Sequence, residues 1–381
     1  MVYLDHNATT PLAPEAREAM LPFLEGDYGN PSSIHSVGRR ARAAVDDARD
    51  RMASLLGAKA HEIIFTSGGT ESCNLGLIGL ARAHVMRGRH LIVSAVEHHA
   101  VLHAADHLQH FEGLEITRLP VDSSGIVDPS LLARLIRKDT TVVSIMHANN
   151  ETGVLQPLAE IAAVCAGQGV FFHTDAVQTF GKIAVSAELP GLSAISIAAH
   201  KFYGPKGAGL LYLRGGIALS RTAYGGSHEN SRRPGTENVA ALAGMAAAAE
   251  AATRRAASET ARLAPLRERL WEGIHAACPH AIRNGDVTRS LPNTLNVSFP
   301  GADGEALLMG LDLEGICVSS GSACMVGSIQ PSHVLIAMGV DPGTALATVR
   351  FSLGHSTDER DIDLATAAVG RVVKLQPALA A

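Results

Sequence analysis

Among the side chains able to do chemistry, a lysine in the run Ser196-Ile197-Ala198-Ala199-His200-Lys201-Phe202-Tyr203-Gly204-Pro205-Lys206-Gly207 stands out by its position. Lys201 follows an apolar strand and precedes a glycine-rich turn. Ligands of open α/β sheets gather at the carboxyl ends of strands, and a lysine there becomes a Schiff-base nucleophile if its surroundings lower its pKa. Taken alone, Lys201 reads as an ordinary loop lysine. Two other segments change that weighting. A strand over 170–173 leads into Thr174-Asp175-Ala176-Val177-Gln178. A carboxylate at a strand exit can pair with a protonated pyridine nitrogen and keep the ring an electron sink. Gly68-Gly69-Thr70 offers backbone donors and a hydroxyl at a helix start, which suits a phosphate. Singly, Asp175 serves equally well as a helix cap or ion-pair partner, and the two glycines as a plain turn.

The second reactive candidate is a thiol. Cys324 ends Ser319-Ser320-Gly321-Ser322-Ala323-Cys324 and is followed by Met325-Val326-Gly327-Ser328-Ile329-Gln330 before Pro331. Small residues of this kind suit a loop tip that must move. The usual reading of a cysteine is a buried structural one. That fits Cys317, inside Ile316-Cys317-Val318, better than Cys324; Cys73 and Cys165 read as packed in helices, and Cys278 is uninformative. Five cysteines at wide spacings argue against a disulfide framework and for a reducing compartment. None has zinc-like spacing with histidine partners, so no metal site is expected.

Taken in order, these segments resemble the NifS/IscS-like family of cysteine desulfurases, pyridoxal phosphate (PLP) enzymes of the class-V aminotransferase type. The resemblance runs from Tyr3-Leu4-Asp5-His6-Asn7-Ala8-Thr9-Thr10 to Arg350-Phe351-Ser352-Leu353-Gly354. Between them lie Phe65-Thr66-Ser67-Gly68-Gly69-Thr70-Glu71-Ser72, Glu97-His98, Asn149-Asn150-Glu151-Thr152-Gly153, His173 to Gln178, the lysine segment, Arg233-Pro234-Gly235-Thr236, and the Cys324 segment.

The resemblance implies roles by position. Lys201 would form the Schiff base with PLP, Asp175 would pair with the pyridine nitrogen, and Gln178 would bond the ring's phenolic oxygen. His98 would stack on the ring and help move protons. Thr70, His200 and Thr236 would contact the phosphate, Thr236 from the neighbouring subunit of a homodimer. Asn150 and Arg350 would clamp the substrate carboxylate, a task suited to the rigid guanidinium fork. Cys324 would take sulfur from L-cysteine as a persulfide, leaving L-alanine, and pass it to an acceptor such as an iron–sulfur scaffold. The loop from Cys324 to Pro331 resembles the longer loop of the NifS/IscS branch. One position departs from the family: Ala198 stands where a serine usually contacts the phosphate, so one contact is expected to be missing.

Two alternatives share part of this pattern. A related PLP lyase or aminotransferase, including a selenocysteine lyase, would need Lys201 and Asp175 but not Cys324. A non-enzymatic sulfur carrier would need only Cys324 and leaves Lys201, Asp175 and His98 unexplained.

The elements that must position these residues alternate. Strands are expected at 62–66, 90–93, 114–119, 141–146, 170–173 and 194–198, with 209–213 pairing back. Helices are expected at 14–24, 35–56, 72–85, 100–111, 129–137 and 157–166. In helix 35–56 the expected apolar stripe is Ala41, Val45, Ala48, Met52 and Leu55. This rhythm argues for a mostly parallel sheet covered on both faces. No GxGxxG follows the first strand, so a dinucleotide fold has no support.

After an alanine-rich helix at 239–252 the pattern shifts. A separate helix at 256–277 is expected, then strands at 293–298, 316–319 and 348–352 and helices at 304–311, 331–338 and 357–373. The expected architecture is α/β, a PLP-dependent transferase fold of the aspartate-aminotransferase type (fold type I). It comprises a large PLP-binding domain, residues 14–255, on a mostly parallel seven-stranded sheet. A small α+β domain, residues 1–13 and 256–381, carries the Cys324 loop.

Composition narrows the setting. Hydrophobic residues are 46% and charged residues 18%, and the net charge of −5 gives no basic footprint for nucleic acid. Residues 1–20 have no basic opening or apolar signal core, and no stretch is long and apolar enough for a membrane span, so a cytoplasmic enzyme is expected. The chain stops soon after its last helix, at 376–381. It thus lacks the longer tail of some scaffold-binding relatives, which favours a NifS-like housekeeping or nitrogenase-associated role, or an unfamiliar partner.

Overall fold

A computed structural model describes residues 1–320 and 330–376. Its centre is a seven-stranded sheet in the order Ile63–Thr66, Gly209–Leu213, Leu192–Ala198, Phe171–Asp175, Thr140–Ser144, His90–Ser94, Glu115–Leu119. Only Gly209–Leu213 runs against the other six, antiparallel to both neighbours; the remaining pairings are parallel. Successive residues of a strand point to opposite faces, and here both faces are buried. Ile63, Phe65, Ile195 and Ile197 join one apolar cluster, and Ile64, Val142, Ala194 and Leu211 join another. Helices Ser36–Leu56 and Leu158–Gly167 cover the first face, and Gly69–Ala83 and His99–Glu112 the second.

Because six strands share one direction, their carboxyl ends share one edge. Five of those ends, at Thr66, Ser94, Ser144, Asp175 and Ala198, lead into the segments that carry chemistry. Helix Ser36–Leu56 buries Ala41, Val45, Ala48, Met52 and Leu56, whereas Leu55 is only half-buried. The stripe advances with the 3.6-residue period, so beyond Met52 and Ala53 it continues at Leu56 instead of Leu55.

A second, three-stranded antiparallel sheet runs Thr348–Ser352, Thr294–Ser298, Ile282–Arg283, beside a parallel pair formed by Val2–Tyr3 and Ile316–Cys317. Its core includes Leu4, Leu270, Leu295, Val349, Phe351, Ile362 and Val369. The expected break between helices 239–252 and 256–277 is absent: one helix spans Val239–Ala277. Its first half, to Ala252, packs in the large-sheet core, and its second half, from Leu263, packs in the small one. Alanine's helix propensity and the polar stretch between the two buried faces let one helix serve both cores. Strand Ile282–Arg283 and the short helix Pro342–Leu346 have no counterpart among the sequence expectations. No helix among the described residues is long and apolar enough to cross a membrane.

Candidate active site

At the shared strand edge lies a cavity of about 350 Å³, within the range of small-ligand pockets. Thr70, His98, Asn150, Asp175, Gln178, His200, Lys201 and Arg350 all line it. Thr236 does not; it is exposed elsewhere on this chain. Cys324 lies outside the described residues.

Lys201 ends a short 3-10 turn, Ala199–Lys201, that closes strand Leu192–Ala198. The turn is bound to the N-terminal segment. Thr10 donates to the His200 carbonyl from both its N–H and its hydroxyl at 3.0 Å, and Tyr203 N–H donates to Thr10 Oγ1 at 2.8 Å. The Lys201 ammonium donates to the carbonyls of Asn7 at 2.5 Å and Ala8 at 2.7 Å. Burial, then the neighbouring Arg350 cation, pushes the Lys201 pKa down to about 8. A free amine is therefore accessible near neutral pH, as a Schiff-base nucleophile requires.

Asp175 is the last residue of its strand and 6% exposed. Its Oδ1 accepts the Val177 N–H at 2.8 Å. Burial pushes its carboxyl above the usual range, although that bond and the charges of His98 and Lys201 act the other way. An added N–H donor would relieve this cost. His98 caps helix His99–Glu112, its Nδ1 accepting the Ala100 N–H at 3.1 Å. The ring proton of the neutral form is thereby assigned to Nε2. Burial lowers the His98 pKa, favouring that neutral form.

Helix Gly69–Ala83 begins behind Gly68, which has φ +153° and supplies no side-chain cap. Its first backbone donors thus lack a side-chain acceptor at the cavity, an arrangement that suits a phosphate. Ala198 packs beside this turn, 3.3 Å from where a Gly69 Cβ would sit, and offers no hydroxyl. His200 Nδ1 contacts Thr9 Oγ1 at 3.2 Å, and burial lowers its pKa to about 4, so it meets a phosphate as a neutral ring.

At the other end of the cavity Arg350, 4% exposed, projects from strand Thr348–Ser352. Nη2 donates to Asp5 Oδ1 at 2.7 Å and Nη1 to the Asn150 carbonyl at 3.0 Å, while Nε is buried and meets no acceptor among the described residues. A guanidinium oriented on two sides with one N–H unmet is equipped for a carboxylate. The cavity thus carries a lysine, a buried carboxylate opposite, an open helix start and an arginine. That donor set fits PLP with an amino-acid substrate.

Several contributors were not picked out by type and spacing. Asp5 orients Arg350, and Asn7 links Lys201, Gln178, Asn150 and Thr294. Both belong to the quoted run 3–10, but only contacts across the fold reveal their tasks. Cys73, expected to be packed in its helix, is buried and also lines the cavity; burial and Asp175 push its thiol well above the usual range. Cys317, expected to be buried, is half-exposed at the short pairing with Tyr3. Glu97 is fully buried, accepts from Ser94 Oγ at 2.6 Å and Met146 N at 2.7 Å, and is pushed up to about 8.

Comparison with known proteins agrees with this geometry. The aminotransferase class-V family model matches residues 2–364. The chain belongs to that family and is a PLP-dependent enzyme. It is 47% identical over 373 residues to the cysteine desulfurase IscS of Dictyoglomus turgidum, covering 98% of this chain and 94% of that protein. A solved NifS-like protein superposes with a TM-score of 0.92 at 37% identity, covering 98% and 99% of the two chains. The structure described as SspA in complex with cysteine gives 0.82 at 33% identity, covering 93% and 99%.

Proposed function

We propose that this chain is a cysteine desulfurase, converting L-cysteine to L-alanine and transferring the sulfur through a persulfide on Cys324. The observation that carries the reading is the single cavity joining Lys201 and Asp175 to Arg350, in a chain 42–47% identical to curated cysteine desulfurases. Bound PLP supplies an electron sink for the electron pair left on the substrate's α-carbon. Asp175 would maintain that capacity by holding a proton on the ring nitrogen, and Gln178 would donate to the phenolic oxygen. His98, neutral with its proton on Nε2, would serve the ring side of the cavity and help move protons there.

Thr70 and His200 would contact the phosphate, as would Thr236 from a second copy in a homodimer; its exposure here is compatible with that task. Arg350 binds the substrate carboxylate with Asn150 beside it. Lys201 Nζ, as the free base, takes the proton from Cα and returns a proton as alanine forms. The Cys324 thiolate attacks the substrate sulfur, so an S–S bond forms on the enzyme as the substrate's C–S bond breaks, and Cβ takes a proton. A thiol of an acceptor protein, such as an iron–sulfur scaffold, then removes the outer sulfur. We place this chemistry in the cytoplasm. We also assign residues 14–255 to a large PLP-binding domain, and residues 1–13 with 256–381 to a small one that meets it within helix Val239–Ala277.

The test is to supply L-cysteine to wild type and Cys324→Ser and to measure alanine, sulfide and protein-bound persulfide. Loss of persulfide and of most alanine formation is expected. Undiminished alanine and sulfide in the variant would instead favour a β-eliminating lyase.

A further inference from the structure

Behind Lys201 lies a second lysine that the mechanism does not use. Lys182 follows Gly181, whose φ of +77° and close approach to Phe202, 2.8 Å from a would-be Cβ, let the chain turn its next side chain inward. Lys182 Nζ donates to Gln178 Oε1 and to Asn7 Oδ1, both at 3.2 Å, and it makes no ion pair among the described residues. It also lines a small cavity of about 30 Å³ shared with Lys201, His6, Glu259 and His355.

We propose that Lys182 is a positioning residue for the lysine chemistry: its amino group fixes the amides of Gln178 and Asn7, the two side-chain contacts it makes beside Lys201. An ammonium only donates, so the Gln178 atom facing it must be the oxygen. Gln178 Nε2 is thereby directed away; one N–H meets the Asn7 carbonyl at 3.0 Å and the other is left for the active cavity that Gln178 lines. The Asn7 side chain is held on every side. Its Oδ1 also accepts from Asn293 Nδ2 at 3.1 Å, and its Nδ2 donates to Thr294 Oγ1 at 2.9 Å and the Asn150 carbonyl at 3.3 Å. The Asn7 main-chain oxygen is in turn the closest partner of Lys201.

Burying a cation beside other cations carries a free-energy cost that a neutral packing residue would avoid. The groups facing Lys182 are Lys201, Arg350 and His6. Burial, then Lys201, then Arg350, push its pKa down to about 7, and burial, then Lys182, hold His6 down at about 4. Glu259 and His355, across the small cavity, pair with each other at 2.8 Å. What Lys182 adds is therefore donors for two amides.

This inference rests on the PLP reading, and its test separates the two. The pH midpoint of the bound cofactor's visible absorption band is measured for wild type, Lys182→Met, Lys182→Gln and Lys182→Arg, together with Tm. Freeing the Gln178 amide to turn its donor away from the cofactor's phenolic oxygen should raise the midpoint by about one pH unit in Met and Gln, and Lys182→Arg should restore it. The Gln variant supplies the measurement if Met does not fold. A midpoint unmoved in the neutral variants, whatever their Tm, overturns the role of Lys182. A wild-type band that is absent, or that survives Lys201→Ala, would instead overturn the assignment of PLP to Lys201.

Discussion

The two ends of the cavity are held in different ways. At the large-sheet edge, Thr70, His98, Asp175 and Lys201 each sit within a few residues of a strand end, and parallel pairing brings those ends together. At the opposite end Arg350 depends on partners far away in sequence. Asp5 lies 345 positions from it and Asn150 lies 200, while Asn7 N–H reaches Ser352 Oγ across 345. The N-terminal segment joins the two ends, bonding the Lys201 turn through Thr10 and the Arg350 strand through Asp5 and Asn7. The strand edge places the groups proposed to act on the cofactor. The long-range contacts place the group proposed to select the substrate.

Substitutions can test that division, beginning with the edge. Lys201→Ala should reduce alanine formation at least about 10⁴-fold, because one residue supplies both nucleophile and base. Borohydride reduction should then trap no cofactor on the protein. Arg350→Ala should lower kcat/KM about 10²- to 10³-fold, mainly through KM, with the cofactor's absorption band retained. A variant that loses the cofactor as well would show that the two ends are not separable.

A pH measurement reads the amine at the edge directly. With Lys201 at about 8, the reactive free base grows as pH rises through that value. Capture of PLP by the apoenzyme should be about tenfold faster at pH 9 than at pH 7, and a flat profile would contradict the assignment. The smallest effect is expected for Asp5→Asn, which keeps an acceptor but removes the charge that orients Arg350. KM for L-cysteine should rise about 3- to 10-fold with kcat little changed. A larger fall in kcat would mean that the N-terminal segment also sets the lysine.

Strands and helices of the large sheet were legible because burial on both faces leaves short β-branched runs, and the crossovers keep a helical period. The helix Val239–Ala277 was not: a polar interval at 253–262 looks like a boundary, yet it is only the stretch between two cores. The same limit applies to the site. Lys201 and Asp175 could be singled out because strand exits are local features, and Arg350 only through the resemblance of the whole ordered set.

By itself the sequence determined which residues could do chemistry: a lysine, an aspartate and a glycine-rich turn at strand exits, an arginine late in the chain, and a cysteine among small residues. Tertiary structure decided their chemical state. The amine of Lys201 is held near 8 by burial and by Arg350, and Asp175 is pushed up by burial. Arg350 is oriented by Asp5, and Lys182 is turned inward onto Gln178 and Asn7. The physical reason is that desolvation and charge–charge effects act through distance in space, which residue order does not encode.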